Sequence, residues 1–496
     1  MDDENSVLAP AEARHLLRRT GFGALPADVA RIVDTGETRG QAADRLLGFS
    51  PVAFKPQSGD HERSVVKWVK YMLKTKTPLQ QKLVLFLHDH FATGFSKVQD
   101  IGLSALQIQL LQRSCTGDFK QLVKDISRDP AMMEFLDTVR NDKDVPNENY
   151  ARELMELFTL GVYDSAGNPN YTQEDIVQIA RAFTGWDYDR GKATFDSDNH
   201  DFMNEFPERG PKVIFSSTGG FGGSGRSFTV DGEGEAEIDA VVDILFDHTD
   251  TNGKNTVARR TAKRLLEYFA HPDPAPAVVD AVVTSSQFAS TWSLRDLCRA
   301  IFVHDAFYAS MAPTPFGAGT KKSVKWPIDY VVSTLRVLGV KPRGQTAYVA
   351  GGNYDGVADH LDRMGQVLMD PPSVFGWDWE TSWISSATLL ARYGFVRDLT
   401  SARGRSSSAF RPERLFNLGL TDPGQIVDAA TAVVGLGSPA DPAEYQLAAS
   451  ERSALIDYLT DQGAHPTLDL TDYDVRNTKL HGLFALLLQS PAYQLH

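Results

Sequence analysis

The chain has 496 residues, of which 42% are hydrophobic and 23% are charged, a composition that excludes a wholly disordered or collagen-like protein. Its 50 basic and 64 acidic side chains give a net charge of −14, which argues against nucleic acid as a partner. Two cysteines, Cys115 and Cys298, form no paired-thiolate motif and so exclude a zinc ribbon or finger. They form either one disulfide or two buried thiols.

In chain order, apolar residues recur mostly at three- and four-residue steps, which predicts one helix after another. The helices expected before residue 187 include 10–20, 26–34, 39–48, 61–76, 78–93, 97–113, 149–160 and 173–184. The segment 78–93 shows an apolar face with Gly94 as its C-cap, and Thr172 followed by Asp175 is typical of a capping box. The helical pattern resumes after the insertion and predicts helices at 235–248, 255–270, 275–286, 293–304, 324–338, 356–368 and 383–393.

Between these two helical regions, residues 187–234 form a loop-rich insertion in which 211–215 and 226–230 fit a small β-hairpin. We therefore predict a mainly α protein, a large multi-helix body with a loop-rich insertion. Three segments follow from this pattern, 1–186, 187–234 and 235–496, and all three can form one continuous domain.

Two histidines flank an aspartate at the end of one predicted helix. His88 and His90 are about 200° apart on a helix, so at most one of them is expected to join a metal site directly. His90 shares the apolar face with Leu83 and Phe86, where a hydrogen-bonded core histidine is the plain alternative. We therefore favour His88 as the ligand.

A second polar cluster lies in the helix predicted at 149–160. Glu153 and Glu156 share one face, and Arg152 can pair with a neighbouring glutamate. Tyr150, Leu154, Leu157 and Phe158 supply the opposite face, which is expected to lie in the core. Paired carboxylates can bind a cation or act as acid and base, although most such pairs are simply solvated or ion-paired.

Two further motifs suggest ligands or substrate contacts. His200 and Asp201 adjoin in the insertion and are followed by Lys212, a pattern that allows metal binding or an Asp-oriented base. Trp377 and Trp383 follow a Pro-Pro pair, and Trp186 follows a glycine. Such aromatic surfaces bind carbohydrates or fill cores.

Taken together, these segments resemble the bacterial family known as domain of unknown function 1800. The resemblance is carried by ARHLLRRTGFG at 13–23, FLHDHFA at 86–92, NENYARELMELF at 147–158, the segment 171–186, His200-Asp201 with Lys212, and 371–383. Leu87 departs from the Trp that the family places before the first histidine, and the glycine loop at 216–234 is enlarged.

The resemblance implies an exported protein, periplasmic or secreted, whose leader is absent from this sequence. The acidic start alone also fits a cytoplasmic protein, and no apolar run is long enough for a membrane span. The family is frequently encoded beside a second family resembling alkaline phosphatases and sulfatases, which is therefore a candidate companion.

The leading hypothesis is a metal-dependent enzyme acting on an extracellular polymer or glycoconjugate, with hydrolysis ranked ahead of oxidation. Its expected residues fall into three groups: catalytic Glu153, Glu156 and Arg152; the metal ligands His88, His90, His200 and Asp201; and the substrate contacts Lys212, Trp186, Trp377 and Trp383. The imidazole and carboxylate ligands suit a divalent transition metal, namely zinc, iron or manganese. Two alternatives stay open, a binding or assembly protein of the cell envelope and a metal-free glycosidase using paired carboxylates.

Overall fold

The structure is a computed structural model. It describes residues 4–55, 59–202, 205–228, 234–311, 322–342, 356–401, 410–415, 417–437, 439 and 445–496. Helices account for 59% of the residues, so the mainly α prediction is confirmed.

The first half of the chain contains most of the helices that carry the motifs. They are α1 Pro10–Thr20, α2 Pro26–Asp34, α3 Arg39–Leu47, α4 His61–Lys74, α5 Pro78–His90, α6 Phe95–Val98, α7 Ile101–Ser114, α8 Phe119–Ser127, α9 Pro130–Phe135, α10 Asn149–Glu153 and α11 Gln173–Ala182. A 3-10 turn at Thr138–Arg140 precedes α10, and a π-helical segment, Leu154–Thr159, continues it.

The second half is again a succession of helices. They are α12 Glu237–Asp247, α13 Thr256–Phe269, α14 Pro276–Ser285, α15 Phe288–Thr291, α16 Leu294–Val303, α17 Asp305–Tyr308, α18 Pro327–Val337, α19 Val357–Arg363, α20 Ser386–Thr400, α21 Pro423–Val433, α22 Ala449–Thr460, α23 Tyr473–Val475, α24 His481–Gln489 and α25 Pro491–Gln494. Short 3-10 turns lie at Ser197–Asn199, Pro207–Arg209, Gly234–Ala236, Ala309–Met311, Glu380–Trp383 and Pro412–Arg414, and a π segment at Arg476–Leu480.

Two antiparallel hairpins make up the strand content of the described residues. The strands are β1 Trp186–Asp189, β2 Lys192–Phe195, β3 Val213–Ile214 and β4 Arg226–Ser227. The pairing of β3 with β4 confirms the predicted hairpin, although residues 229–230 of that prediction lie outside the described part. The β1–β2 hairpin was not predicted; a tight turn with Arg190 and Gly191 both at positive φ joins its strands.

Local sequence signals explain the helix boundaries in most places. The predicted capping box is present, since the Thr172 hydroxyl accepts from the Asp175 N–H and the Asp175 carboxylate accepts from the Thr172 N–H. The prediction for 78–93 is wrong at its end, because α5 stops at His90. Phe91 leaves the helical conformation and packs its ring against Phe119 and Phe158.

Helix α5 is buried on every side, and this is the feature that positions the candidate site. All of its residues after Pro78 are buried, so it does not have the single apolar face that its sequence suggested. The buried apolar residues around it form one hydrophobic cluster that includes members of all three predicted segments. Both cysteines are free and buried in this cluster.

The helices of the described residues include none that is long and apolar enough to cross a membrane.

Candidate functional site

The last turn of α5 buries His88, Asp89 and His90 together, with exposures of 1%, 1% and 4%. The His88 ring packs against the rings of Trp68 and Trp377, with centroids 6.1 and 5.2 Å away. Neither of its ring nitrogens has a hydrogen-bond partner among the residues that the structure describes. Burial lowers the pKa of His88 to about 3, so the ring is neutral at physiological pH.

His90 is a core histidine with one hydrogen bond. Its Nε2 lies 3.0 Å from the Phe158 carbonyl oxygen, so the ring binds the π-helical segment to α5. Phe86 and Phe119 are among the rings around it, in agreement with the helical spacing. Burial and the nearby charges of Arg264 and Arg260 lower the pKa of His90.

These contacts predict different effects for the two histidines. His88→Leu should leave the free energy of unfolding within about 1 kcal/mol of wild type, because the ring makes no hydrogen bond that would be lost. His90→Leu should cost about 1–3 kcal/mol, because it leaves the buried Phe158 carbonyl without a partner. Denaturant unfolding of both variants checks this, and equal losses would contradict it.

Asp89, between the histidines, connects three parts of the fold. Its carboxylate accepts hydrogen bonds from the Trp377 backbone N–H (2.8 Å) and from the Trp379 indole N–H (2.9 Å). It also forms an ion pair with Arg264 of α13 at 3.0 Å. Burial raises the pKa of Asp89 to about 6, although Arg264 and the two N–H donors oppose the increase.

Gly376 allows the tryptophan loop to approach Asp89 this closely. Its φ is 84°, and a Cβ atom there would collide with the Asp89 carboxylate. A glycine is therefore required before Trp377 for the Trp377 N–H to reach Asp89 of α5.

An open cavity of about 310 Å³ lies beside Arg264 and Trp379, the two side chains that bind Asp89. Its lining combines aromatic, acidic and basic side chains: Arg264, Glu267, Pro272, Asp273, Phe375, Trp379 and Glu380. The Arg264 guanidinium lies 5.1 Å from the centre of the Trp379 ring. Phe375 is 64% exposed, so an apolar ring faces solvent beside these charges. Asp89 therefore holds two of the lining residues, Trp379 and Arg264, in place.

Glu380 is the carboxyl group with the most unusual setting in this cavity. Burial raises its pKa to about 7, and Glu267 adds to the shift, whereas Arg19 and a hydrogen bond from the Val324 N–H oppose it. Its φ is 56°, a left-handed conformation that is uncommon for residues other than glycine. Such backbone strain and such a pKa are both concentrated at functional sites.

The predicted carboxylate pair lies in a separate, partly buried place. Glu153 ends α10 and Glu156 lies in the π-helical segment, where it accepts a hydrogen bond from the Tyr171 hydroxyl at 3.2 Å. Burial, and then Glu156, raise the pKa of Glu153. Arg152 forms an ion pair with Glu148 at 3.0 Å and is partly exposed. Of the predicted core face, Tyr150, Leu154 and Phe158 are buried, and Leu157 is partly buried.

The structure brings His200, Asp201 and Lys212 into one buried region, but their side chains face different partners. Asp201 forms ion pairs with Arg181 at 3.0 Å and Arg209 at 2.7 Å. Lys212 lies 3.1 Å from His200 Nε2 and forms an ion pair with Glu237.

All three side chains are 0% exposed. Their contacts satisfy buried charges and attach the insertion to α11 and α12.

The structure also locates the remaining predicted residues. Trp186, Trp377 and Trp383 are 3–4% exposed, whereas Trp379 lines the cavity. Among the residues that the structure describes, no group of three or more His, Cys, Asp or Glu side chains could hold a metal ion. Metal binding therefore stays a prediction, and the described residues provide no group of ligands for it.

Sequence reasoning did not single out Asp89, Arg264, Glu267 or Glu380. Asp89 was treated as the spacer between two histidines, although an aspartate in an apolar helix already signals a buried partner. Arg264 belongs to a basic run of α13, 259–264, whose helical spacing is typical of a solvated face. No sequence pattern points to Glu380, because its raised pKa depends on contacts with residues far away in the chain.

Fold and site thus define a mainly α protein with a central buried helix and an open cavity lined by aromatic and charged side chains. The model of the family described as protein of unknown function (DUF1800) matches residues 15–495, and the chain belongs to that family. Comparisons with curated proteins and with solved structures give no match.

Proposed function

We propose that this protein hydrolyses glycosidic bonds of an extracellular polymer or glycoconjugate in the cavity beside Trp379, with Glu380 as the proton donor. The observation that carries the proposal is the position of Glu380, a partly buried carboxyl group with a raised pKa that borders an open cavity with an aromatic wall. A general acid needs contact with the substrate and a proton at working pH.

The lining fits a sugar chain better than it fits a nonpolar ligand. Aromatic rings such as Trp379 and Phe375 pack on the apolar faces of pyranose rings, while the charged groups bind the hydroxyls. Asp273 is exposed at the edge of the cavity and offers a further hydroxyl contact.

Glu267 and Asp273 are the other two carboxylates in the lining, and glycoside hydrolysis uses two carboxyl groups. We assign the second role to Glu267, because its charge acts on the pKa of Glu380, whereas Asp273 is exposed at the edge of the cavity. In this mechanism Glu380 donates its proton to the glycosidic oxygen as that oxygen leaves the anomeric carbon. Glu267 acts on the other reactant, either by accepting a proton from water or by attacking the anomeric carbon itself. In the first case the hydroxyl of water bonds to the anomeric carbon, the proton of water goes to Glu267, and proton exchange with solvent returns both carboxyl groups to their starting states. In the second case water cleaves the glycosyl ester of Glu267, its hydroxyl bonds to the anomeric carbon and its proton restores Glu380.

A non-catalytic glycan-binding protein is the second candidate. The buried networks at Asp89 and at Asp201 favour it, because both motifs fix packing and leave the cavity as the remaining functional feature. Its partner would be a polymer of the cell envelope, bound in the same cavity.

One experiment separates the two functions. Wild type and Glu380→Gln are incubated with a panel of soluble polysaccharides and with peptidoglycan, and reducing ends and binding are both measured. New reducing ends from wild type alone support hydrolysis, whereas equal binding by both proteins without new ends supports the binding function. Neither cleavage nor binding on the whole panel would overturn both.

The pH dependence of hydrolysis follows from the pKa of Glu380. A general acid works only while it is protonated, so kcat/KM should fall about tenfold for each pH unit above about 7. The residual activity of Glu380→Gln should lack this alkaline limb, because the variant has no proton to lose. A wild-type profile that stays flat between pH 6 and 9 would contradict the assignment.

A further inference from the structure

A second, much smaller cavity of about 20 Å³ lies between α1, α18 and the last residues described. It is separate from the cavity beside Trp379. Its polar lining includes Arg18, Lys325, Asp329, Ser333, Tyr493 and His496.

Positive charge exceeds negative charge in and directly behind this lining. Asp329 is the carboxylate, and it is already shared, since Lys82 lies 2.6 Å away and His496 lies 3.4 Å away. Lys82 and these charges hold the pKa of Asp329 well below its usual range, so the carboxylate is ionised.

Arg18 and Lys325 add two more cations. Arg18 donates from Nη1 to the Gly435 carbonyl oxygen at 3.3 Å. Arg19, on the same helix, donates to the Phe269 and Tyr268 carbonyl oxygens. Within the described residues, neither arginine has an ion pair with a carboxylate. Two carboxyl groups, those of Asp329 and Glu380, therefore accompany four basic side chains, those of Arg18, Arg19, Lys82 and Lys325.

The ammonium group of Lys325 lies beside an aromatic ring in this cavity. Lys325 is 6% exposed, and its Nζ lies 3.7 Å from the centre of the Tyr493 ring. No hydrogen-bond acceptor for Nζ lies among the residues that the structure describes. Among the described residues, Arg18 Nε and His496 Nδ1 are buried without hydrogen-bond partners, and so is the acceptor Asp329 Oδ1, which an anion would not pair.

We propose that this cavity binds a monatomic anion of the size of chloride between Lys325 and Arg18. The volume admits one ion or one water molecule and excludes sugars, phosphates and organic acids. A bound anion would accept hydrogen bonds from the Lys325 ammonium and the Arg18 Nε–H and would offset the excess positive charge. It would also oppose the effect of burial, which by itself lowers the pKa of Lys325 well below the usual value.

The test uses the full-length protein in chloride-free buffer. Melting temperature is measured during titration with sodium chloride, sodium bromide or sodium gluconate at constant ionic strength, because gluconate is too large for the cavity. We expect a saturating rise of a few degrees with chloride and bromide and none with gluconate. Equal curves for the three salts would overturn the proposal.

Two variants and one crystal test complete the experiment. Lys325→Met should lose the halide effect, whereas Lys67→Met, which removes an exposed lysine of α4, should keep it. If Lys325→Met fails to fold, crystals of the wild type grown in bromide decide the matter. An anomalous bromide peak beside Lys325 supports the site, and a water molecule there in saturating bromide overturns it.

Discussion

Glu380→Gln should lower kcat for glycan hydrolysis by about 10²–10⁴-fold, because glutamine fills the same space but cannot donate a proton to the leaving oxygen. Substrate affinity should change little, since the aromatic wall of Trp379 and Phe375 is intact. Initial rates of reducing-end release at several substrate concentrations give kcat and KM separately.

The matched control is Glu62→Gln, which makes the same substitution on an exposed glutamate at the start of α4. It should retain wild-type kcat. A Glu380→Gln variant that folds and retains more than a tenth of the wild-type kcat would show that this carboxyl group is not the proton donor.

Asp89→Ala should lower the free energy of unfolding by about 3–5 kcal/mol, because removal of one partner leaves the Arg264 charge beside the core without its carboxylate. The Trp377 and Trp379 N–H groups would lose their acceptor at the same time. Urea unfolding of wild type and variant measures the change.

A double substitution provides the control for this prediction. Asp89→Leu combined with Arg264→Met replaces the buried ion pair by apolar side chains and should recover much of the stability. If Asp89→Ala leaves the free energy of unfolding unchanged, Asp89 does not connect the three parts of the fold as described.

Much of the fold could be predicted from the sequence, because helix period and capping are local properties. The hairpin of β3 and β4 and the capping box at Thr172 are examples. The end of α5 was missed because Phe91 leaves the helix to reach Phe119 and Phe158, rings that lie far along the chain. The complete burial of α5 could not be read from one apolar stripe either, since it depends on which elements cover the other faces.

The candidate site was less predictable for the same physical reason. His200, Asp201 and Lys212 lie in one buried region, but their ion-pair partners, Arg181 and Glu237, are specified by tertiary contact. Glu380 has a left-handed backbone conformation, which no residue type near it in the sequence predicts.

The tryptophans illustrate the limit of composition. The segment 377–383 contains three tryptophans, which is typical of an aromatic surface. Trp377 and Trp383 are nevertheless buried, and Trp379 lines the cavity. The partial exposure of Trp379 and its place in the cavity lining show which ring borders solvent.

The most direct test of the central claim is the crystal structure of Glu380→Gln with an oligosaccharide taken from the polymer that the wild type cleaves. The predicted result is a sugar ring on Trp379, with its glycosidic oxygen within hydrogen-bond distance of the side-chain amide that replaces the Glu380 carboxyl group. A sugar bound instead beside Glu153 and Glu156, with the Trp379 cavity empty, would contradict the assignment of the site.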